Sequence, residues 1–282
     1  MYNIIMKKLI HIAIALSAFI LLSYFSYQTY IDAKKLEEVN KEYYEAQTNI
    51  KDIIKRKFGS ILSSLSLGAI EEKDTQEYKL KQLKAKIILL KEQTKKDMQT
   101  LFIISGVIIL LYFILDLNIY ALLVAFSSLV TLIFGLITPI LMIVIHKYVD
   151  FLGDVVLSYE SKTIVGTIEH LYNSQNYPVA ITILLFSIVV PLIKSITMIV
   201  IIILKELHIV KKLLNFFKYL GKWSMVDVFV VSLLLVYLSA GSSQNSYSEI
   251  ENGLYLFLIY VILSIITSLV VERLLKSKEA IA

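Results

Sequence analysis

The chain has 282 residues, 57% of them hydrophobic and only 18% charged, with a formal net charge of +5. A soluble domain usually carries about a quarter charged residues, and the absence of cysteine excludes disulfides, thiolate zinc sites and cysteine nucleophiles. His11, His146, His170 and His208 are too scattered to form a metal cluster, and the positive charge sits beside apolar runs, where it sets topology and needs no nucleic acid.

Several apolar runs approach the roughly 20 residues needed to cross about 30 Å of hydrocarbon as a helix. Lipid offers no partner to backbone N–H and C=O groups, so such runs are helices or closed barrels. These runs are too uniformly apolar for alternating barrel strands. The predicted class is therefore an all-α membrane protein with about six transmembrane helices.

The first span covers residues 9–26 behind Lys7 and Lys8. It resembles a signal peptide, but it is long and is followed by Tyr24, Phe25, Tyr27 and Tyr30 in place of a small-residue cleavage site. It reads as an uncleaved anchor. Residues 34–58 and 71–100 are rich in the helix formers Lys, Glu, Gln and Leu. The serine-rich segment from Gly59 to Gly68 suits a turn between them. The expected form is an extramembrane antiparallel helical hairpin, each arm reaching about 40 Å at 1.5 Å per residue. A solvated spacer is the competing reading.

Two spans are expected next, residues 101–115 and 119–145, joined by Asp116-Leu-Asn118. Residues 146–177 are polar enough to lie outside the bilayer, and the expected fold admits a small periplasmic β element. The fourth span covers 178–204, the fifth 225–240 and the sixth 254–271. The connector 205–222 holds five lysines (205, 211, 212, 218 and 222), whereas the loop 241–252 has no Lys or Arg and two acids, Glu249 and Glu251. With Lys7 and Lys8 at one end and Arg273, Lys276 and Lys278 at the other, the lysine and arginine bias puts both termini in the cytoplasm. The 28–99 segment, with 15 basic and 12 acidic residues, is then outside. Its length of more than about 60 residues makes its charge a weak topological signal.

No P-loop, nucleophile elbow, HExxH or dinucleotide fingerprint occurs, so no catalytic residue or cofactor is assigned. Lys194, in Val190-Pro-Leu-Ile-Lys-Ser195, falls near the bilayer midplane. A lysine there costs about 2.5–3.5 kcal/mol on insertion scales and calls for a partner or a wet cavity. Snorkelling to the interface is the bland alternative, at a reach of over about 10 Å. Asp227 is open to two compatible readings. With Ser224 it forms a capping box at a helix start, Trp223 being an interfacial anchor. Alternatively, it faces Lys194 across the bundle. Pro191 and Pro139 would kink spans four and three and free backbone carbonyls. Ser232, Tyr237, Tyr260, Ser264, Thr267 and Ser268 would line a polar cavity or simply bridge helices.

Three stretches resemble the paraquat-inducible protein A (PqiA/LetA) family. The string Gly221-Lys-Trp-Ser-Met-Val-Asp-Val-Phe229 is similar to its G-[RK]-W-S-M-[LV]-D-V-F signature. The segment Thr163-Ile-Val-Gly-Thr-Ile-Glu-His-Leu171 is similar to T-I-x-x-G-I-x-x-L, and Ser187-Ile-Val-Val-Pro-Leu-Ile-Lys194 to S-x-x-x-P-[LI]-x-K. Pro139 falls where the family's preceding span has a proline. The resemblance covers about 119–275, one four-span module.

It implies a bacterial inner-membrane protein that moves lipids between membranes beside an MCE-domain periplasmic partner. By motif, Lys194, Trp223, Ser224 and Asp227 become the residues that matter. Relatives carry cysteine-rich zinc ribbons and often two tandem modules; this chain has no cysteine, and dimerisation would be one way to replace the missing module. The expected division is an anchor (1–27), a hairpin (28–100) placed in the periplasm, an extra span (101–118), the four-helix module (119–275) and a cytoplasmic tail (276–282). The competing functions are a scaffold or sensor acting through the hairpin, and a secondary transporter of a small solute, against which the absence of an inverted repeat of broken helices counts.

Overall fold

The computed structural model describes residues 2–48, 71–149, 153–204 and 246–279. Within these, five helices are long and apolar enough to cross a membrane. The expected span at 225–240 and the turn at 59–68 lie outside the described residues.

Anchor and hairpin arm are one helix. α1 runs unbroken over Tyr2–Thr48 and α2 over Glu71–Leu110, so the second span is the continuation of the returning arm. No Gly or Pro interrupts residues 9–48, and the change at residue 27 is one of polarity alone. At 1.5 Å per residue α1 is about 70 Å long and α2 about 60 Å. The pair is antiparallel, since Glu42 meets Lys79 while Asp32 meets Gln93.

The buried positions explain the pairing. On α1 they include Leu22, Ser26, Thr29, Ala33, Leu36 and Asn40, and on α2 Thr94, Met98, Leu101, Ser105 and Ile108. Steps of alternately four and three residues draw an a/d seam like that of a coiled coil. At the membrane end of the seam the small polar residues Ser26 and Ser105 are buried alongside Leu22, Leu101 and Ile108.

A single 3-10 turn, Leu111–Phe113, leads to α3, Leu117–Ile137, with Asp116 as N-cap accepting from the Asn118 N–H at 3.0 Å. Span three is shorter than the expected 119–145. Thr138, preceding Pro139, has an extended backbone (ψ 143°), as the clash with the proline ring requires. Pro139 is thus the exit from the span and does not kink it. Residues Leu141–Val149 form β1, which pairs with β2, Gly153–Lys162, with a bulge at Ile145/His146. The run Met-Ile-Val-Ile inside β1 is apolar enough to read as membrane helix, yet β-branched enough to prefer a strand. β3, Ser246–Ile250, adds to the other side of β1 and gives an antiparallel sheet of order β2-β1-β3.

α4, Ile164–Asn173, follows, then a broken span: α5, Tyr177–Ile183, a π-helical stretch, Leu184–Val189, and α6, Val190–Ile203. α7 covers Asn252–Glu279. α3 and α7 are antiparallel and in close contact, Gly135 lying against the Phe257 backbone. Tyr120, Val124 and Leu132 of α3 and Leu256, Phe257, Tyr260 and Leu263 of α7 are buried.

Two contacts order the ends of the bundle. The Asp116 N–H donates to His11 Nδ1 at 3.2 Å, and Arg273 donates to the Tyr112 hydroxyl. The start of α1, the α2–α3 turn and the end of α7 therefore share one end. The sheet and the hairpin lie at the other, where Tyr44 of α1 stacks on Tyr159 of β2 at 5.0 Å.

Candidate functional site

The broken span carries the first candidate. Pro191 has no N–H and its ring presses on the carbonyl one turn back, so regular α-helix fails just before it. The chain absorbs this by widening into the π stretch, where the Val190 N–H reaches back five residues to the Leu185 carbonyl. Pro191 is buried as the second residue of α6. The irregularity ahead of it takes the form of a π bulge.

Lys194 lies one turn beyond, nine residues before the end of α6 at Ile203. Pro191, Ser195, Met198 and Ile202 form the buried stripe of this helix, while Ile193 and Ile196 are exposed. Lys194 sits on the edge of that stripe, half-buried. Beside it, Ser187 and Ser195 are buried, and Ser195 Oγ has no hydrogen-bond partner among the described residues. α6 packs on α3 and α7, which bring the buried hydroxyls of Ser127, Ser128, Thr131, Ser264 and Thr267 into the bundle. Thr131 donates to the Ser127 and Ser128 carbonyls, Thr267 to Leu263 and Ser268 to Ser264, so these satisfy their own helices. Trp223, Ser224 and Asp227 lie outside the described residues, as do Ser232 and Tyr237. Pro139 lies at the sheet end of α3, between its C-cap Thr138 and β1.

The Thr163 segment has a local explanation. The Thr163 side chain accepts the Gly166 N–H at 2.9 Å, which caps α4 at its N3 position. A Cβ at Gly166 would come 3.0 Å from that Oγ1. Threonine and glycine three apart thus form the cap of a helix that follows the β hairpin.

Sequence reasoning missed a second polar region, where hairpin meets sheet. Lys91 of α2 is ion-paired with Glu249 of β3, and Tyr247 donates to the same carboxylate at 3.3 Å. Tyr159 donates to the Glu37 carbonyl at 3.4 Å. Burial, reinforced by Glu249 and Glu37 and opposed by Lys91, pushes the Glu251 carboxyl up to about 7. Burial also raises the Tyr159 and Tyr44 phenols. The region joins four elements, each contributing one or two residues, so no local spacing announced it. Among the described residues there is no group of three or more His, Cys, Asp or Glu placed to hold a metal.

Compared with known families, residues 120–275 match the model of paraquat-inducible protein A. No curated protein and no solved structure matches the chain. The matched stretch runs from α3 through α7 and includes the sheet, the broken span and the Thr163 cap, and it exceeds half of the chain. The chain belongs to the paraquat-inducible protein A family.

Proposed function

We propose that this protein is the inner-membrane component of a lipid-transfer system, acting with an MCE-type periplasmic partner to move lipids between membranes. The observation that carries the reading is Lys194, half-buried beside a π bulge in a membrane span of the family module. A midplane ammonium and an irregular helix are both tolerated where a polar interior or a neighbouring helix receives them. In this reading Asp227 is the counter-charge of Lys194, and lipid headgroups are handled beside the pair. The five-lysine connector faces the cytoplasm together with both termini, in keeping with the shared end defined by His11–Asp116 and Arg273–Tyr112. Hairpin and sheet then face the periplasm and the partner.

The test is the distribution of envelope lipids, and co-purification of an MCE protein, for Lys194→Ala and Asp227→Ala at normal expression. Loss of either readout supports the proposal; wild-type behaviour in both variants removes the pair from the mechanism.

A second reading, a scaffold or sensor, is favoured by one feature. α1 and α2 run without a break from the hairpin into the membrane, so a displacement of the arms is transmitted to the bundle. Deleting the hairpin would then abolish activity while both intramembrane charges prove dispensable.

A further inference from the structure

The hairpin lies outside the stretch that matches the family, and it contains a buried acidic pair. Asp32 of α1 is fully buried. Its Oδ1 accepts from Lys35 Nζ at 2.9 Å, and its Oδ2 accepts from the side-chain amides of Gln28 and Gln93, each at 2.8 Å. Asp97 of α2, one turn along from Gln93, lies beside that same carboxyl group. The Oδ2 of Asp97 is buried and meets no donor among the described residues. Two ionised carboxylates have only acceptors to offer each other, so a bond between them needs a hydrogen. The pair stands six residues beyond Ser26 and four before Leu101, just past the apolar runs of both helices.

We infer that Asp32 and Asp97 bind one proton between them, and that this proton clasps α1 to α2 where the two helices leave the bilayer.

The surroundings decide which carboxyl holds it. Burial tends to raise the Asp32 pKa, but the bonds from Lys35 and Gln28 outweigh it and hold the group below the ordinary carboxylate value. Burial and the neighbouring Asp32 carboxylate push Asp97 up to about 6. Asp97 is therefore the donor. The charged groups that face the pair are Lys35 on α1 and the two carboxyls themselves. α3, α7 and β2, which also pack on α1, bring none among the described residues. Glu251 and Lys91 belong to the separate junction at β3. When the proton leaves, two anions share a site with one lysine, itself 55% exposed, and the seam between Thr29–Ala33 and Thr94–Met98 is pushed apart. Because both helices continue into the bundle, the pose of the hairpin becomes linked to the pH on its side of the membrane. The inference rests on the hairpin alone and stands whether or not the protein handles lipid.

The experiment is hydrogen–deuterium exchange on the full chain in nanodiscs of phosphatidylethanolamine and phosphatidylglycerol, with peptides covering 28–40 and 90–100. Corrected for intrinsic exchange, opening of these peptides should rise about tenfold between about pH 5 and about pH 8, as linkage requires for a carboxyl held near 6. Asp97→Asn supplies a permanent donor and should remain protected and insensitive to pH. Asp97→Ala, which removes one carboxylate, should also lose the pH response whatever its absolute protection. Glu251→Gln should keep it. A wild-type hairpin whose protection is flat over this range, or a response that survives both Asp97 variants or disappears with Glu251→Gln, overturns the inference.

Discussion

Gly253 lies directly against the main chain that ends α3: a Cβ at this position would come within 2.3 Å of the Thr138 carbonyl oxygen and 2.6 Å of that of Pro139. The Gly253 N–H donates to the Pro139 carbonyl at 2.8 Å, and the Glu251 N–H to Ile140 at 3.0 Å, so the start of α7 is tied to the exit of α3. Both close atoms are backbone and cannot turn aside. Gly253→Ala should lower stability by about 1–3 kcal/mol or more, the range for overpacking. Thermal unfolding of the purified variant in detergent reads this directly. A Gly253→Ala protein as stable as the wild type would mean that the two helices do not meet this closely.

A smaller loss is expected at the α4 cap. Thr163→Ala removes the acceptor of the Gly166 N–H and should cost about 1 kcal/mol, while Thr163→Ser keeps the oxygen and should cost a few tenths. The threonine's second bond, donated to its helix by Thr167 through the Thr163 carbonyl at 2.7 Å, is main-chain at the accepting end and survives both changes. Equal losses for alanine and serine would assign the effect to the threonine methyl instead.

What could be read in the sequence follows from where each signal resides. Span-forming apolarity is a local property, and spans are legible over residues 9–26 and 254–271 and, from residue 119 on, in α3. Lys194 was visible because charge inside an apolar run is rare. The end of α3 was misplaced by eight residues, because Ile140–Ile145 is equally apolar in a helix and in a buried strand; the decisive sign was Thr138 ahead of Pro139, which favours extended backbone. The continuity of α1 through residue 27 was hidden by a change of polarity that the backbone ignores. The Asp32–Asp97 pair and the Lys91–Glu249 contact join residues 65 and 158 positions apart. Each looks like one more charge on a solvated helix until the antiparallel register is known. The seam itself was legible in retrospect, since Leu22, Ser26, Thr29, Ala33, Leu36 and Asn40 keep its spacing.

The proposed pairing of Lys194 with Asp227 predicts a particular pattern of non-additivity. Lys194→Leu alone removes an ammonium that is costly at membrane depth but strands its counter-charge, so it should destabilise. Asp227→Leu alone should do the same. The double variant should recover stability relative to the sum of the two by about 0.5–3 kcal/mol, the range for residues in contact, and should remain inactive in lipid distribution. Steric-trap or thermal measurements on the three proteins complete the cycle. Additive losses would separate the two residues in space and leave Lys194 to be explained by its own helix.

The junction of hairpin and sheet should give the protein a stability profile that falls towards neutral pH. Glu251 is pushed up to about 7 from an ordinary value of 4.5, chiefly by burial, with Glu249 and Glu37 adding to it and Lys91 opposing. A carboxyl raised in the folded state binds its proton more tightly there than in the unfolded chain. Its contribution is therefore complete below the unfolded value, diminishes as pH climbs, and is gone above about 7. Asp97 acts with the same sign but runs out near 6, and Asp32, held low, acts with the opposite sign only in more acidic solution. Melting temperature should consequently decline between about pH 4.5 and about pH 7. Glu251→Gln removes the upper part of that decline and should exceed the wild type in stability at pH above 7. Lys91→Met takes away both the Glu249 ion pair and the cation that moderates Glu251, so its decline should be steeper and extend to higher pH. A Glu251→Gln profile that overlays the wild type would show that the carboxyl is wetter than its packing between β3 and α7 indicates.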